Sequence, residues 1–463
     1  MQDPGFSPTT TLLNYLRKSS VHKGTKEGCA EGDCGACTVV IAELDDKQKL
    51  KYTAIDSCLV FLPMIHGKQI ITVENLISEE GREIKLHPVQ QSMVDDHGSQ
   101  CGYCTPGFVM SLFSLYKNEQ QPGKESICDA LTGNLCRCTG YRPIIEAAAH
   151  ACIHQGMDQF NNNEKHVAEL LLSIQKEELS LQLESGIQSY SRPLALSEAL
   201  RLKVAQPEAI LLSGATDIAL RVTKKREILK EIIDLGALRE LKTFNTTSKT
   251  INIGAGMDLE EIRLRTKEIL PALFNMLTVF GSRQIRRLAT LGGNIGSASP
   301  IGDTLPVLIA YKATVQLKNL EEERIIPMNE FITGYRQTQR RSDEIITSVT
   351  IPVPDKSTVV SSYKVSKRKD LDISTVSAGF SLKLKNGIVE EIILAYGGMA
   401  EKTKQASEAE EFLINKKWDR KNVEAAAEII YNEFTPISDA RSGAEFRRLA
   451  AKNLLIKFWS ENQ

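Results

Sequence analysis

All ten cysteines of this 463-residue chain lie between Cys29 and Cys152, and none follows. Disulfide frameworks suit short secreted chains, whereas thiols crowded into one region of a long chain are better read as metal ligands in a reducing compartment. The start, Met1-Gln-Asp-Pro-Gly-Phe-Ser7, also lacks the basic segment and apolar core of a secretion signal. Eight of the ten fall into two groups. The first, Cys29-x4-Cys34-x2-Cys37 followed by Cys58, has the plant-type [2Fe–2S] spacing, and Gly28, Gly32 and Gly35 let the loop wrap closely with backbone N–H groups toward sulfur. Zinc is the competing metal, but it favours paired C-x2-C arms or added histidines. The second group sets Cys101-x2-Cys104 and Cys136-x-Cys138 at two turns between predicted helices, so that two turns supply two thiolates each. Cys128 and Cys152 fall on helical faces outside both groups, where a thiol is usually a small buried hydrophobe.

The hydrophobic pattern divides the chain. Residues 1–75 carry β-rich stretches, Cys37–Ala42 and Gln69–Val73, around glycine-rich loops, with a helix predicted at Thr11–Arg17. Residues 76–154 switch to helical periodicity from Pro88 onward, through Phe108–Tyr116 and Ile144–Ala151. The polar stretch 155–190 reads as a linker containing a solvated helix. A mixed α+β region over 191–354 follows, with strands at Ala209–Leu212 and Thr250–Ile253 and helices at Leu196–Val204 and Leu259–Thr266. The last section, 355–463, reads as strands and then helices. The 57 Lys and Arg against 58 Asp and Glu leave no basic field for nucleic acid. No apolar run approaches the ~18–20 residues of a membrane helix. A soluble, cytoplasmic protein is expected.

In the second half, Gly254-Ala-Gly256 fails as a dinucleotide fingerprint because no third glycine follows at the required spacing, and Asp258 reads as the N-cap of the helix from Leu259. Two polar turns are more informative. Leu211-Leu212-Ser213-Gly214-Ala215-Thr216-Asp217-Ile218 leaves a strand through small residues that expose backbone N–H groups, one means of holding pyrophosphate. Ala289-Thr290-Leu291-Gly292-Gly293-Asn294 continues through Ser297 to Asp303, with paired glycines for close backbone approach; so polar a loop suggests a ligand.

The segments Glu27–Cys37, Gln100–Gly107 and Gly133–Tyr141, in this order, resemble the two-cluster region of the molybdenum hydroxylases, the xanthine dehydrogenase and aldehyde oxidase family. The two polar turns resemble that family's FAD-binding domain. The resemblance implies a multidomain α+β chain: a plant-type ferredoxin-like β-grasp domain, a helical [2Fe–2S] domain, a mixed α+β FAD-binding domain and a C-terminal α+β flavoprotein domain. It implies two [2Fe–2S] clusters, with the Cys101/Cys104/Cys136/Cys138 cluster nearest molybdenum and the Cys29/Cys34/Cys37/Cys58 cluster nearest flavin. FAD contacts fall on Leu211 to Ile218, Thr290 to Asn294, Ser297, Asp303, Ile346 and Lys364. Phe280 aligns with an aromatic near the isoalloxazine, Tyr335 with one beside the nicotinamide site, and Gln100 with a glutamine that bonds the pterin of the molybdenum cofactor. Read alone, Gln100 is a loop-capping amide and Phe280 and Ile346 are core. The run Lys364–Ile373 resembles the charged loop bordering the flavin, including Asp372 and Ile373, although Leu371 departs from an acidic residue found there in some members; as a bare charge run it is a solvated face.

By this resemblance the chain is the small subunit of a split purine hydroxylase. A large molybdenum-binding subunit would complete a heterotetramer of two small and two large chains, with NAD as acceptor and no hydroxylation residue on this chain. The alternative is an electron-transfer subunit, without an NAD site, of an aldehyde or N-heterocycle oxidase. Family members also carry a β-hairpin before the segment that is Pro8–Leu13 here. Only seven residues precede Pro8, so the first sheet is expected to lack part of itself, to expose an edge and to make the first cluster the more labile.

Overall fold

The computed structural model describes residues 6–18, 21–80, 83–153, 155–176 and 180–463. The chain forms two compact units, one of Met1–Leu194, Ala209–Gly236 and Ser282–Leu288, the other of Ala195–Glu208, Ala237–Gly281 and Ala289–Gln463.

In the first unit, strand Thr38–Leu44 is central in a three-stranded antiparallel sheet between Leu50–Asp56 and Gln69–Ile71. Its alternation sends side chains to two cores. Val39 and Ile41 join Leu12 and Leu16 of helix Leu12–Lys18 on one face. On the other, Val40 and Ala42 join Phe108, Leu112 and Phe113 of helix Thr105–Asn118, with Ile144 and Ala148 of helix Arg142–Ile153. Sheet and helices therefore share one apolar interior. The segment where the family hairpin would lie, which the sequence is too short to form, falls largely on Met1–Gly5, outside the described residues; no strand occurs in Phe6–Thr10.

The stretch read as a linker holds more than a solvated helix. Helix Gln159–Lys176 is there, with Leu171 buried on it, but strands Leu181–Ser185 and Gln188–Arg192 then form a hairpin. Gln188–Arg192 runs parallel to Glu231–Asp234, which runs parallel to Ile210–Leu212. A third core joins this sheet to the first cysteine loop, bringing Tyr190, Leu212, Ala215 and Ile232 together with Cys37, Cys58 and Leu59.

The second unit contains a five-stranded antiparallel sheet, in the order Phe244–Thr246, Thr250–Gly254, Ile345–Pro352, Thr314–Lys318, Glu323–Pro327. It also contains a four-stranded sheet built from Thr358–Val365, Val376–Lys385, Ile388–Gly397 and Lys404–Gln405. Helices Arg420–Glu433 and Ala444–Glu461 pack on the latter through Val423, Ile430, Leu455 and Phe458. Helix Thr304–Ala310 is buried throughout and lies so close to strand Val376–Lys385 that a Cβ on Gly379 would stand 2.3 Å from the Pro306 carbonyl oxygen. The helix from Leu259 is capped as its sequence predicts, Asp258 Oδ1 accepting from the Glu261 N–H at 2.9 Å.

Candidate functional site

The first cysteine loop is shaped around sulfur. Backbone N–H groups of Asp33 and Glu31 point at Cys29 Sγ, at 3.2 and 3.4 Å, and the Cys29 N–H points at Cys34 Sγ at 3.3 Å. Gly28 is required there, because a Cβ would lie 2.6 Å from Cys34 Sγ. The Cys34 thiol, donating to Cys29, and these N–H groups hold the Cys29 pKa down to about 6 against the opposing effect of burial. Cys37 and Cys58 are buried side by side, and their mutual hydrogen bond together with burial pushes Cys37 well up. Asp56, fully buried with Oδ1 3.8 Å from Cys37 Sγ, is pushed up by burial.

The second group is assembled the same way at the start of helix Thr105–Asn118 and in the turn before helix Arg142–Ile153. Cys104 pairs with Cys136, its thiol pushed up to about 12 by burial and that bond. Cys138 pairs with Cys101, both exposed. Thr139 Oγ1 stands 3.2 Å from Cys136 Sγ, and the Cys136 N–H donates to the Tyr141 hydroxyl at 3.1 Å. Among the described residues no three His, Cys, Asp or Glu side chains surround one point fit for a single ion. The thiols stand two by two instead, the arrangement that suits a cluster whose two irons each take two thiolates. Cys152 is buried, as read; Cys128 is exposed, because its helix Lys124–Leu131 turns Ile127 and Leu131 inward instead.

The two loops are joined. Leu135 N–H donates to the Cys34 carbonyl at 3.0 Å, and the buried Asn134 donates from Nδ2 to the Gly35 carbonyl at 3.0 Å. Asn134 Oδ1 accepts from Ser111 Oγ at 2.6 Å and from Gln284 Nε2 at 3.1 Å. Gln284 comes from the short helix Arg283–Leu288, far along the chain. Gln284 carries no sequence signal, since an amide in a short helix has no distinguishing spacing, and Asn134 lies inside the segment Gly133–Tyr141 without being singled out there.

Ser213–Asp217 turns at the carboxyl ends of two parallel strands, the place where open α/β sheets bind ligands. Ala215 has φ of +64° and is buried, while Asp217 is exposed. Asp234, at the matching end of the neighbouring strand, accepts from the Tyr190 hydroxyl at 2.6 Å and from the Gly236 N–H at 2.8 Å. Leu211, Leu212 and Ile218 flank the turn as strand and helix residues.

In the second unit the stretch from Thr290, expected as a loop, holds the helix Leu291–Gly296. Thr290 Oγ1 caps it, accepting from the Gly293 N–H at 3.2 Å. The two glycines differ. A Cβ on Gly292 would strike Ala255 at 2.6 Å, whereas one on Gly293 meets only the Thr290 hydroxyl at 2.9 Å within 4 Å, leaving a face that a ligand backbone can approach. Asn294 Oδ1 accepts from Thr304 Oγ1 at 2.6 Å, and Ser297 Oγ donates to the Asn294 carbonyl at 2.9 Å. Asp303 and Lys364 meet each other, Nζ to Oδ2 at 3.0 Å, both buried; Lys364 also donates to the Val279 carbonyl beside Phe280, and Ser374 to Asp303 Oδ1. Ile346 packs against the end of the Leu291–Gly296 helix, in reach of Gly296. Tyr335, at the tip of hairpin Ile332–Gly334 and Gln337–Thr338, is exposed. Asp372 is engaged by Arg368 at 2.7 Å, Ile373 is exposed, and Gln100 is exposed before Cys101.

Comparison with known proteins covers the chain almost end to end. Residues 6–62 match the 2Fe-2S iron-sulfur cluster binding domain and 72–149 the [2Fe-2S] binding domain. Residues 182–354 match the FAD binding domain in molybdopterin dehydrogenase, and 361–462 the CO dehydrogenase flavoprotein C-terminal domain. Xanthine dehydrogenase 1 of Arabidopsis thaliana is 33% identical over 97% of this chain and 38% of its own length; xanthine dehydrogenase/oxidase of Rattus norvegicus is 32% identical over 98% and 37%. The chain thus spans less than two-fifths of these relatives. Among solved structures, a carbon monoxide dehydrogenase from Hydrogenophaga pseudoflava superposes with a TM-score of 0.56 at 22% identity, over 59% of this chain and 96% of that one. Quinoline 2-oxidoreductase from Pseudomonas putida 86 gives 0.55 at 22%, over 60% and 98%; these two likenesses bear on fold alone. With two cysteine tetrads, an FAD-binding domain and a flavoprotein C-terminal domain matched in this order, the chain belongs to the molybdenum hydroxylase family.

Proposed function

We propose that this chain is the electron-transfer and NAD-reducing part of a molybdenum-dependent purine hydroxylase whose molybdenum site lies on a separate large subunit, in a cytoplasmic heterotetramer. The observation supporting this reading is the collinear match to xanthine dehydrogenases over 97–98% of the chain, with clusters and flavin domain in one polypeptide. Among the described residues no helix is long and apolar enough to cross a membrane. Two [2Fe–2S] clusters, held by the two cysteine tetrads, would supply one-electron transfer, and FAD, held at the Leu211–Ile218 and Thr290–Asn294 turns, would supply the coupling to two-electron reduction of NAD. The chain's own residues supply binding and environment. N–H groups of Glu31 and Asp33 stabilise thiolate at Cys29, burial excludes water from Cys37 and Cys58, and Thr290 pre-forms the turn that presents Gly293. Gln100 would bond the pterin on the partner, and Tyr335 would flank nicotinamide.

Three measurements test this. The purified chain should hold about four irons and one FAD, as two [2Fe–2S] clusters and one flavin require, and NADH should bleach its flavin. Co-expressed with its large subunit it should reduce NAD with xanthine. A flavin indifferent to NADH, in a complex that oxidises aldehydes or N-heterocycles, would install the alternative oxidase reading.

The flavin assignment makes a separate prediction at Gly293. Gly293→Val places a branched side chain on the open face, where its Cβ would meet only the Thr290 hydroxyl within 4 Å. FAD content should fall at least tenfold while both cluster signals persist. Stoichiometric flavin in that variant would count against the placement.

A further inference from the structure

The loop that carries Cys29 and Cys34 holds a cation that its own sequence does not supply. Lys224, the residue closing helix Ile218–Thr223, donates from Nζ to the Cys29 carbonyl at 2.9 Å and stands 3.2 Å from Glu31 Oε2. Glu31 is one of the two residues, with Asp33, whose N–H groups point at Cys29 Sγ. One ammonium group therefore grips a ligand residue by its carbonyl and, through Glu31, the peptide that serves that ligand's sulfur. The nearer lysine in sequence, Lys26, is turned onto the Lys23 carbonyl at 2.7 Å. Around the loop the charges are acidic: Glu27, Glu31 and Asp33 lie within it, and Asp56 is buried beside Cys37.

A cluster held by four thiolates is an anion in both oxidation states and gains one more negative charge on reduction. A fixed cation nearby favours the reduced form, and net charge and hydrogen bonds toward sulfur are among the levers that set such potentials. We propose that Lys224 is a positioning residue for the first cluster: it fixes the Cys29–Glu31 turn and raises that cluster's reduction potential relative to the second, biasing electrons toward it. The inference rests on the reading of Cys29, Cys34, Cys37 and Cys58 as a [2Fe–2S] site. Because the Lys224 side chain is 44% exposed, its effect is moderate and weakens with added salt.

The test is a redox titration of the full chain followed by electron paramagnetic resonance, with iron content measured alongside. Lys224→Met should lower the first cluster's potential enough to shift electron partition about fivefold toward the second, roughly 40 mV for a one-electron couple. The second cluster's potential should not move, and Lys224→Arg should restore the first. Glu31→Gln removes a negative charge and leaves Lys224 on the Cys29 carbonyl, so it should move the potential upward; that variant decides the matter where Lys224→Met fails to load iron. An unmoved first potential in fully loaded Lys224→Met, an equal shift of both clusters, or no upward shift in Glu31→Gln overturns the proposal. Wild-type protein with a full second-cluster signal and none from the first would instead sink the cluster reading itself.

Discussion

Gly35→Ala should cost the protein both iron–sulfur signals, although alanine adds one methyl group and touches no ligand. Gly35 has φ of +66°, where a non-glycine residue is strained by ~1–2 kcal/mol. Its added Cβ would stand 2.4 Å from the Gly133 carbonyl oxygen and 2.4 Å from Asn134 Nδ2, inside the contact that joins the two cysteine loops. Relief requires those loops to separate, breaking the Leu135 to Cys34 and Asn134 to Gly35 hydrogen bonds and moving Cys34 and Cys136 from their partners. Overpacking of this kind typically costs ~1–3 kcal/mol more. The control is Cys138→Ser, an exposed member of the second tetrad that makes none of the hydrogen bonds joining the two loops, which should remove the second signal only. Iron content and electron paramagnetic resonance on both variants check this, and a full second-cluster signal in Gly35→Ala would refute the coupling. Placing the tetrads in separate sequence regions leads instead to the expectation that Cys34→Ser and Cys136→Ser each spare the other cluster. The shared interior under strand Thr38–Leu44 and the joined loops make that independence incomplete for the ligands nearest the contact.

What was legible in the sequence is what depends on spacing. The cysteine intervals expose both tetrads because ligand geometry is local, and the helices and strands that the sequence did signal lie within a few residues of their periodic pattern, as at Leu259–Thr266 and Thr250–Gly254. Others were not legible, among them the central strand Ile345–Pro352, and two cases show why. The hairpin Leu181–Arg192 sits in a polar stretch, and its inner strand is secured by parallel pairing with Glu231–Asp234, some forty residues on, which no local pattern announces. The helix Leu291–Gly296 contains three glycines and reads as loop; the Thr290 cap and its contact with Ala255 hold it in place. Long-range partners are likewise silent in sequence. Lys224 lies 195 residues from Cys29, and Lys364 lies 61 from Asp303. Those pairings turn a charge run or a lone lysine into part of a site.

Asp158→Ala should be among the most destabilising single changes in the first unit. Asp158 receives His87 Nε2 at 3.1 Å, Lys117 Nζ at 3.0 Å and the Asn161 N–H at 2.9 Å, with its side chain and those of Lys117 and His87 all nearly excluded from water. It thereby caps helix Gln159–Lys176 and neutralises Lys117, whose ammonium also lies 5.3 Å from the Tyr52 ring centre. Removing the carboxylate strands a buried ammonium, a change that costs ~3–5 kcal/mol in comparable sites, and loses a helix cap. Burial alone would raise the Asp158 pKa, but the bonds from His87, Asn161 and Lys117 outweigh it and hold the group at about 2. A carboxylate depressed on folding contributes stability that is fully present above its unfolded pKa of ~3.9 and is lost as pH falls through the folded value. The difference in unfolding free energy between wild type and Asp158→Ala, read from urea titrations, should therefore be constant from about pH 5 to pH 8 and shrink from about pH 4 toward pH 2, by ~2 kcal/mol. At such acidity both proteins have lost their clusters, so the comparison is between metal-free chains. A difference that stays constant down to pH 2 would mean that the carboxylate's charge is not what holds this helix against the sheet domain.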